Sequence, residues 1–236
     1  MDLPKSRSST LIDIVGDEVH LWETPLSIWE FELAHIGDVL SPDEREYAAA
    51  FQNERARRQF VISRGMLRQL LSRYLDRPTA DIRFGTEGDG KPVLAGERGV
   101  EFNLSHSGEI VVYAVAASRP VGVDVEHLRP VPRAVELANR FLSPEESETI
   151  ASAPQELRDR EFLSSWVRRE AYAKARGTSI WRALESRRQN AAAAAATEDG
   201  LYTVRLVDYS DRYVAAVAAP GSDWRVVPQG GIWYSS

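Results

Sequence analysis

The chain contains no cysteine, so disulfides, thiolate metal centres and cysteine nucleophiles are all excluded. Histidine is scarce as well. His20, His35, His106 and His127 lie far apart in the sequence, which argues against a histidine-based zinc cage. Long apolar runs are missing: the longest, Ile110 to Ala117, is far too short to span a bilayer. The opening MDLPKSRSST lacks an export-type hydrophobic segment and reads as a frayed tail. These absences predict a cytoplasmic protein without a membrane partner. An excess of positive charge is also lacking, and a formal net charge of −6 argues against nucleic acid as the main partner. What remains is the composition of a soluble globular protein, 43% hydrophobic and 27% charged. Its 236 residues suffice for one large domain or two of about 115.

The most informative stretch is Val121-Gly122-Val123-Asp124-Val125-Glu126. A strand alternates its side chains, so Asp124 and Glu126 share one face while Val123 and Val125 share the other. Two carboxylates about 7 Å apart on an otherwise apolar strand are costly to leave unneutralised. Some forty positions on, WVRREAYAK reads as helix and places Trp166, Glu170 and Lys174 on one stripe. If that helix face meets that strand face, three carboxylates and one ammonium converge. Such a set suits Mg²⁺ and a polyphosphate. The bland alternatives are a strand end whose acids pair with Arg129 or Arg133, and an ordinary i, i+4 pair of Glu170 with Lys174. Trp166 on the same stripe pulls that face inward and weighs against the second.

Ser41-Pro42-Asp43-Glu44 has the pattern of a capping box with proline at the first helical position. Helical periodicity then runs to about Tyr74, with a break near Gln52-Asn53. Within it Arg57, Arg64 and Arg68 fall within roughly 40° of each other on a helical wheel, beside Phe60, Leu67, Leu71 and Tyr74. They either cover the core while pairing with Glu44, Glu46 or Glu54, or form an anion-binding edge. Glu18 to Glu23, Ile82 to Phe84, Val100 to Leu104 and Glu109 to Ala117 read as strands, with turns at Gly85 to Pro92 and Ser105 to Gly108.

The chain then starts again. Ser143-Pro144-Glu145-Glu146 repeats the capping box 102 positions later. At the same offset Arg58-Gln59-Phe60 matches Arg160-Glu161-Phe162, Val19 and Leu21 match Val121 and Val123, and Val112, Val115, Ala116 and Ala117 match Val214, Val217, Ala218 and Ala219. The expected fold is therefore α+β: two similar halves, 1–118 and 119–236, related by a pseudo-two-fold, each a helix on a small, mostly antiparallel sheet. Arg68 then corresponds to Glu170 and Trp22 to Asp124, so a cleft between the halves would carry basic groups on one side and acids on the other. The alanine run Ala191 to Ala196 carries no visible chemistry. Leu201 to Val207 and Arg212 to Ala219 read as a closing hairpin, and the segment beyond Pro220, with Trp224 and Trp233, as surface packing.

Gly88-Asp89-Gly90-Lys91-Pro92 is a turn whose lysine is ordinarily solvated. Phe102 to Gly108, FNLSHSG, offers hydroxyl, imidazole and backbone donors at one place, suited to a phosphate or simply to capping its own turn. Adjacent Ser105 and His106 make poor nucleophile–base geometry, and no G-x-S-x-G elbow occurs, which disfavours a serine hydrolase.

Taken together, GKP at Gly90 to Pro92, FNLSHSG, VGVDVE at Val121 to Glu126 and FLSSWVRREAYAK at Phe162 to Lys174 resemble the 4′-phosphopantetheinyl transferases, in particular the longer, pseudo-dimeric Sfp-like type. The resemblance covers most of the chain in the family's order. It implies Mg²⁺-dependent transfer of the phosphopantetheine arm of coenzyme A to a serine of an apo acyl or peptidyl carrier protein, with release of 3′,5′-ADP. By position, Asp124, Glu126 and Glu170 would hold Mg²⁺, and Glu170 and Lys174 would be catalytic, with Glu170 or a water it orients taking the serine proton. Lys91, Ser105 and His106, with Arg58 and Arg64, would hold the 3′-phosphoadenosine end. A monomer is expected. The chain departs from the family pattern at Glu44 and Tyr47, where lysines are common, at Arg169 in the W-x-x-K-E-A motif, and at Gly177-Thr178-Ser179-Ile180. Two other readings stay open: a metal-dependent CoA or nucleotide pyrophosphatase, and a non-catalytic module that binds CoA or a carrier.

Overall fold

A computed structural model describes residues 11–27, 30–88, 90–96, 99–178 and 201–231. The amino-terminal tail, Asp89, Ser179-Ile180, the alanine run and Trp233 lie outside the described residues. Both capping boxes form. Ser41 accepts from the Glu44 amide at 3.3 Å while its own amide donates to Glu44 Oε2 at 2.9 Å, and the Ser143–Glu146 pair does the same at 3.2 and 2.8 Å. They start helices α2 (Pro42–Ala49) and α5 (Pro144–Ser152). The expected break is real: Asn53 caps α3 (Glu54–Leu75) by accepting from the Ala56 amide at 3.0 Å. The other helices are α1 (Glu30–Asp38), α4 (Ala134–Phe141) and α6 (Arg158–Ala175).

The strands are β1 (Glu18–Pro25), β2 (Phe84–Glu87), β3 (Lys91–Leu94), β4 (Val100–Ser107), β5 (Ile110–Ala117), β6 (Gly122–His127), β7 (Tyr202–Ser210), β8 (Tyr213–Pro220) and β9 (Arg225–Gly231). One sheet runs β4-β5-β1-β9, a second runs β6-β8-β7, and β2-β3 is a separate hairpin. The sequence β4-β5-β1 in the first sheet has the same form as β7-β8-β6 in the second, and every pairing in those two runs is antiparallel. The fold class is thus α+β, built from two α/β halves.

Alternation along the central strands explains the layering. In β5, Val111, Tyr113 and Val115 face α3 through a core that includes Leu67, Leu70 and Leu71, whereas Val112, Ala114 and Ala116 face the other sheet. In β8, Val214, Ala216 and Ala218 pack on Val167 and Ala171 of α6, while Ala215 and Val217 face the first sheet. Both strands are covered on both faces, which is why each reads as an unbroken apolar run. The layers are helix, sheet, sheet, helix.

Five expectations need correction. The expected match of Val112, Val115 and Ala116 with Val214, Val217 and Ala218 pairs residues on opposite faces. Strand β8 begins at Tyr213, 103 positions after Ile110, and the pairing of β7 with β8 shifts register between Val207 and Ser210. A single extra residue reverses which face each side chain takes. Secondly, Ser105 to Ser107 belong to β4 itself, and the turn falls at Gly108-Glu109, where Gly108 has φ 58°. Thirdly, Lys91 starts a strand rather than sitting in a turn, and the strand expected at Ile82 to Phe84 begins only at Phe84. Fourthly, the carboxy-terminal segment is no surface packing. Trp224 is buried in the core between the sheets, and β9 pairs in parallel with β1, so residues of the second half complete the first sheet.

The fifth concerns the arginines. Arg68 is 2% exposed, donates to Glu44 Oε2 at 2.6 Å and to the Thr79 and Ile82 carbonyls, and so does not face a cleft opposite Glu170. Arg57 pairs with Glu54. Trp22 is likewise internal, donating Nε1 to the Tyr74 hydroxyl at 2.8 Å. Both arginines take the pairing alternative, Arg68 because a buried guanidinium must satisfy its donors close at hand, Arg57 as an exposed i, i+3 helical pair.

Candidate functional site

Strand β6 carries its acids as the alternation requires: Val123 and Val125 enter the core shared by the sheets, and Asp124 and Glu126 take the other face. Helix α6 lies unusually close to this strand. A methyl group at Gly122 would overlap the Ala171 carbonyl and the Ala175 amide, so only glycine permits the approach. That closeness lets Lys174 reach across. Its Nζ donates to Asp124 Oδ1 at 2.7 Å, Ser105 Oγ at 3.1 Å and the Val123 carbonyl at 3.2 Å. The lysine therefore bonds Asp124 rather than making the simple helical pair with Glu170.

Glu170, one turn before Lys174, is pushed up to about 7 by burial first and then by the negative charge of Asp124, with Glu126 adding a smaller effect. Lys174 opposes the rise but does not cancel it. Three carboxylates thus act on one small volume. Glu126 also takes the bland alternative in part, since Arg129 donates to its Oε2 at 3.0 Å. Trp166 packs against Phe141 and Phe162.

Strand β4 runs beside β6 and contributes residues that were not singled out from the sequence. Asn103 Oδ1 accepts from the Val123 amide at 2.9 Å, and Ser107 Oγ donates to Glu126 Oε2 at 2.9 Å. A polar residue at every second position of β4 was the available signal. Ser105, expected at the nucleotide end, donates its hydroxyl to Asp124 Oδ1 at 2.7 Å, and the structure places it with the acids instead. Lys91 donates to the Val121 carbonyl at 3.1 Å, and burial lowers its ammonium below the ordinary lysine range.

Two adjoining cavities share Leu104 as a wall. The first, of about 240 Å³, is lined by Lys91, Asn103, Glu170, Lys174 and Thr178 among others. The second, of about 280 Å³, is lined by Phe51, Gln59, Phe60, Ser63, Arg64 and His106. Arg64 lies over the Phe84 ring at 4.5 Å from its centroid and 3.6 Å from Glu44. His106 is pushed below the usual imidazole range by desolvation and by Lys174. The structure therefore brings Lys91 together with Glu170 and Lys174, and His106 together with Arg64. Arg58 lines a different hollow, with Arg55 and Glu109.

The donor set fits a hard divalent cation: carboxylate oxygens, no sulfur, and one acid raised to about 7 by burial and by the neighbouring Asp124. Among the described residues no group of three or more acids or histidines is arranged as a ready-formed metal position, and Lys174 bonds Asp124 Oδ1 at 2.7 Å. A chemistry of charge neutralisation around an anionic ligand follows from this arrangement. Glu170 can accept a proton near neutral pH, and Lys174 can hold negative charge.

Sequence comparison bears on what that ligand is. Residues 120–218 match the model of the 4′-phosphopantetheinyl transferase superfamily, and residues 22–118 match that of the 4′-phosphopantetheinyl transferase amino-terminal region. The chain is 38% identical over 229 residues to the 4′-phosphopantetheinyl transferase HetI of Nostoc sp., spanning 94% of this chain and 95% of that one. It is 33% identical to the transferase psf-1 of Bacillus pumilus, over 75% of this chain and 73% of the relative. To Sfp of Bacillus subtilis it is 29% identical, over 70% and 71%.

Proposed function

The chain belongs to the 4′-phosphopantetheinyl transferase superfamily, and from that premise we infer that it moves the phosphopantetheine arm of coenzyme A onto a serine of an apo acyl or peptidyl carrier protein. The observation that carries the finer reading is Lys174, bonded to Asp124 and lining with Glu170 the first of the Leu104-bounded cavities.

In this reading Asp124, Glu126 and Glu170 hold Mg²⁺. When bound, the ion neutralises the pyrophosphate of CoA and polarises the phosphorus under attack. Lys174 binds phosphate oxygen while its Nζ stays bonded to Asp124 Oδ1. His106 and Arg64 form the wall for the 3′-phosphate and adenosine, and Lys91 lines the other cavity with Glu170 and Lys174. Arg58, on its separate hollow, stays a candidate for that anionic end. The carrier serine adds through its oxygen to the phosphorus that bears pantetheine. The bond from that phosphorus to the bridging oxygen breaks, and the electron pair leaves with 3′,5′-ADP. Glu170, as carboxylate, takes the serine proton. A carboxyl near 7 is half in that form at neutral pH, which suits a general base. The nucleophile comes with the partner, so the chain needs none of its own. Phosphoryl transfer asks mainly for positioning and neutralised charge, and this site supplies both.

No helix among the described residues is long and apolar enough to cross a membrane. A cytoplasmic monomer, with the residues up to 118 mainly on the nucleotide side and those from 119 carrying the acids, completes the proposal. Incubation with CoA, Mg²⁺ and a panel of apo carriers, followed by intact-mass measurement, tests it. The expected product is a carrier heavier by one phosphopantetheine. CoA hydrolysis that needs no carrier would identify a pyrophosphatase, and binding without turnover would identify a non-catalytic module.

A further inference from the structure

The edges of β4 and β6 lie side by side, yet they belong to different sheets and share no backbone ladder. Buried backbone groups on the β6 edge still require partners. They find them in side chains: Lys91 at the Val121 carbonyl, Asn103 at the Val123 amide, Lys174 at the Val123 carbonyl, and Ser107 at the His127 amide, the last at 3.0 Å. Side chains standing in for a ladder keep the strands apart and leave room between them for a cleft.

The hydroxyls on β4 do more than support the backbone. A serine has one proton to donate. Ser105 gives its proton to Asp124 Oδ1 while accepting from Lys174, and Ser107 gives its proton to Glu126 Oε2 while accepting from His127. In each acid the donors converge on one oxygen. Ser105 and Lys174 both bond Oδ1 of Asp124, and Ser107 and Arg129 both bond Oε2 of Glu126.

We propose that Asn103, Ser105 and Ser107 are positioning residues of the transfer reaction: they lock the acid-bearing strand and present one chosen oxygen of each carboxylate, Oδ2 of Asp124 and Oε1 of Glu126, to a divalent cation. The proposal rests on the reading of Asp124 and Glu126 as cation-holding acids. Spacing two apart on β4 matches spacing two apart on β6, so each serine meets one acid and the asparagine fixes the residue before the first. A carboxylate whose second oxygen is tied down cannot rotate away from the ion, the role that partners behind metal ligands commonly play.

Ser107 gives the clearest test, because it touches one acid and one amide. Mn²⁺ binding, followed by electron paramagnetic resonance without CoA, should weaken about 10- to 100-fold in Ser107→Ala. Ser107→Thr, which keeps the hydroxyl, should restore most of that loss. In a Glu126→Gln background, removing the Ser107 hydroxyl should change Mn²⁺ affinity far less than in the wild type, whereas a general loosening of the fold would act equally in both. Unaltered Mn²⁺ binding by Ser107→Ala, or equal losses in the two backgrounds, overturns the positioning role while leaving the transferase reading intact. A wild-type protein that loads carriers but does not bind Mn²⁺ overturns the cation reading and this proposal with it.

Discussion

Exchanging Glu170 for glutamine should make the metal-free protein more stable while damaging its chemistry. In the folded state the carboxyl is raised from 4.5 to about 7, chiefly by burial and by Asp124. At 1.36 kcal/mol per pH unit, holding it ionised above pH 7 costs the fold roughly 3 kcal/mol. Water still reaches part of the group, so about 1–2 kcal/mol is the expected effect. Its sign follows from the folded value lying above the unfolded one. The penalty is absent below about pH 4.5, grows between 4.5 and 7, and is complete above 7. Thermal unfolding in EDTA at pH 8 should therefore show Glu170→Gln melting higher than wild type by about 2–8 °C, with the gap closing by pH 5. Turnover separates the two roles of the acid. A residue that is only a ligand should be rescued by high Mg²⁺. A proton acceptor should leave a deficit of about 10²–10⁴ in kcat at saturating Mg²⁺. A variant no more stable than wild type at pH 8, or equally stabilised at pH 5 and pH 8, would refute the electrostatic reasoning. Full kinetic rescue by Mg²⁺ would remove Glu170 as base and leave a bound water in its place.

His106→Ala should weaken CoA about ten- to a hundredfold while leaving dephospho-CoA little changed, measured by calorimetry. Because the imidazole is held below its usual range, the wild-type preference for CoA over dephospho-CoA should strengthen as pH falls below 6.5; equal affinities at every pH would place His106 away from the 3′-phosphate. Gly122→Ala should push α6 off β6 and draw Lys174 from Asp124, lowering kcat/KM about a hundredfold, and wild-type kinetics would show that the contact is slack. Arg68→Ala should cost about 3–5 kcal/mol in urea unfolding, because it breaks a shielded ion pair with Glu44 and removes the donor to two carbonyls, and Arg68→Lys should recover little of it. A loss under 1 kcal/mol would mean that water replaces the guanidinium freely.

What could be read from the sequence was local. Ser41 and Ser143 announce their helices because a capping box closes within four residues, and Asp124 and Glu126 declare one face because a strand has a fixed period. Partners were legible only as alternatives: Arg129 or Arg133 for the acids, and Glu44, Glu46 or Glu54 for the arginines of α3. Nothing local selects Glu44, some twenty positions earlier, for both Arg64 and Arg68. The roles of Asn103 and Ser107 depend on an encounter between two sheet edges that no local pattern encodes. Strand β9 was hidden for another reason. RVVPQGG holds one proline and two glycines, residues that weaken a strand signal, and Pro228 is tolerated opposite Leu21 because β9 is an edge strand beside a register shift. The extra residue that offsets β8 from the gapless match changes no residue type strongly. Only the distribution of Val214 and Val217 between two cores reveals it.

The parallel pairing of β9 with β1 has a consequence for how the molecule comes into being. Strand β1 leaves the ribosome before its outer neighbour, which is made about 200 residues later. At 5–20 residues per second, that is roughly 10–40 s during which the edge of the first sheet waits with its backbone bonds unmade. The first half can collapse around α3 in that interval, but its sheet is finished only when Arg225 arrives to meet Asp17 and Glu18. The second half must already be there to deliver it. Completion of the first sheet is in this way made conditional on synthesis of the second half, so a nascent chain has no finished first sheet until β9 has been made.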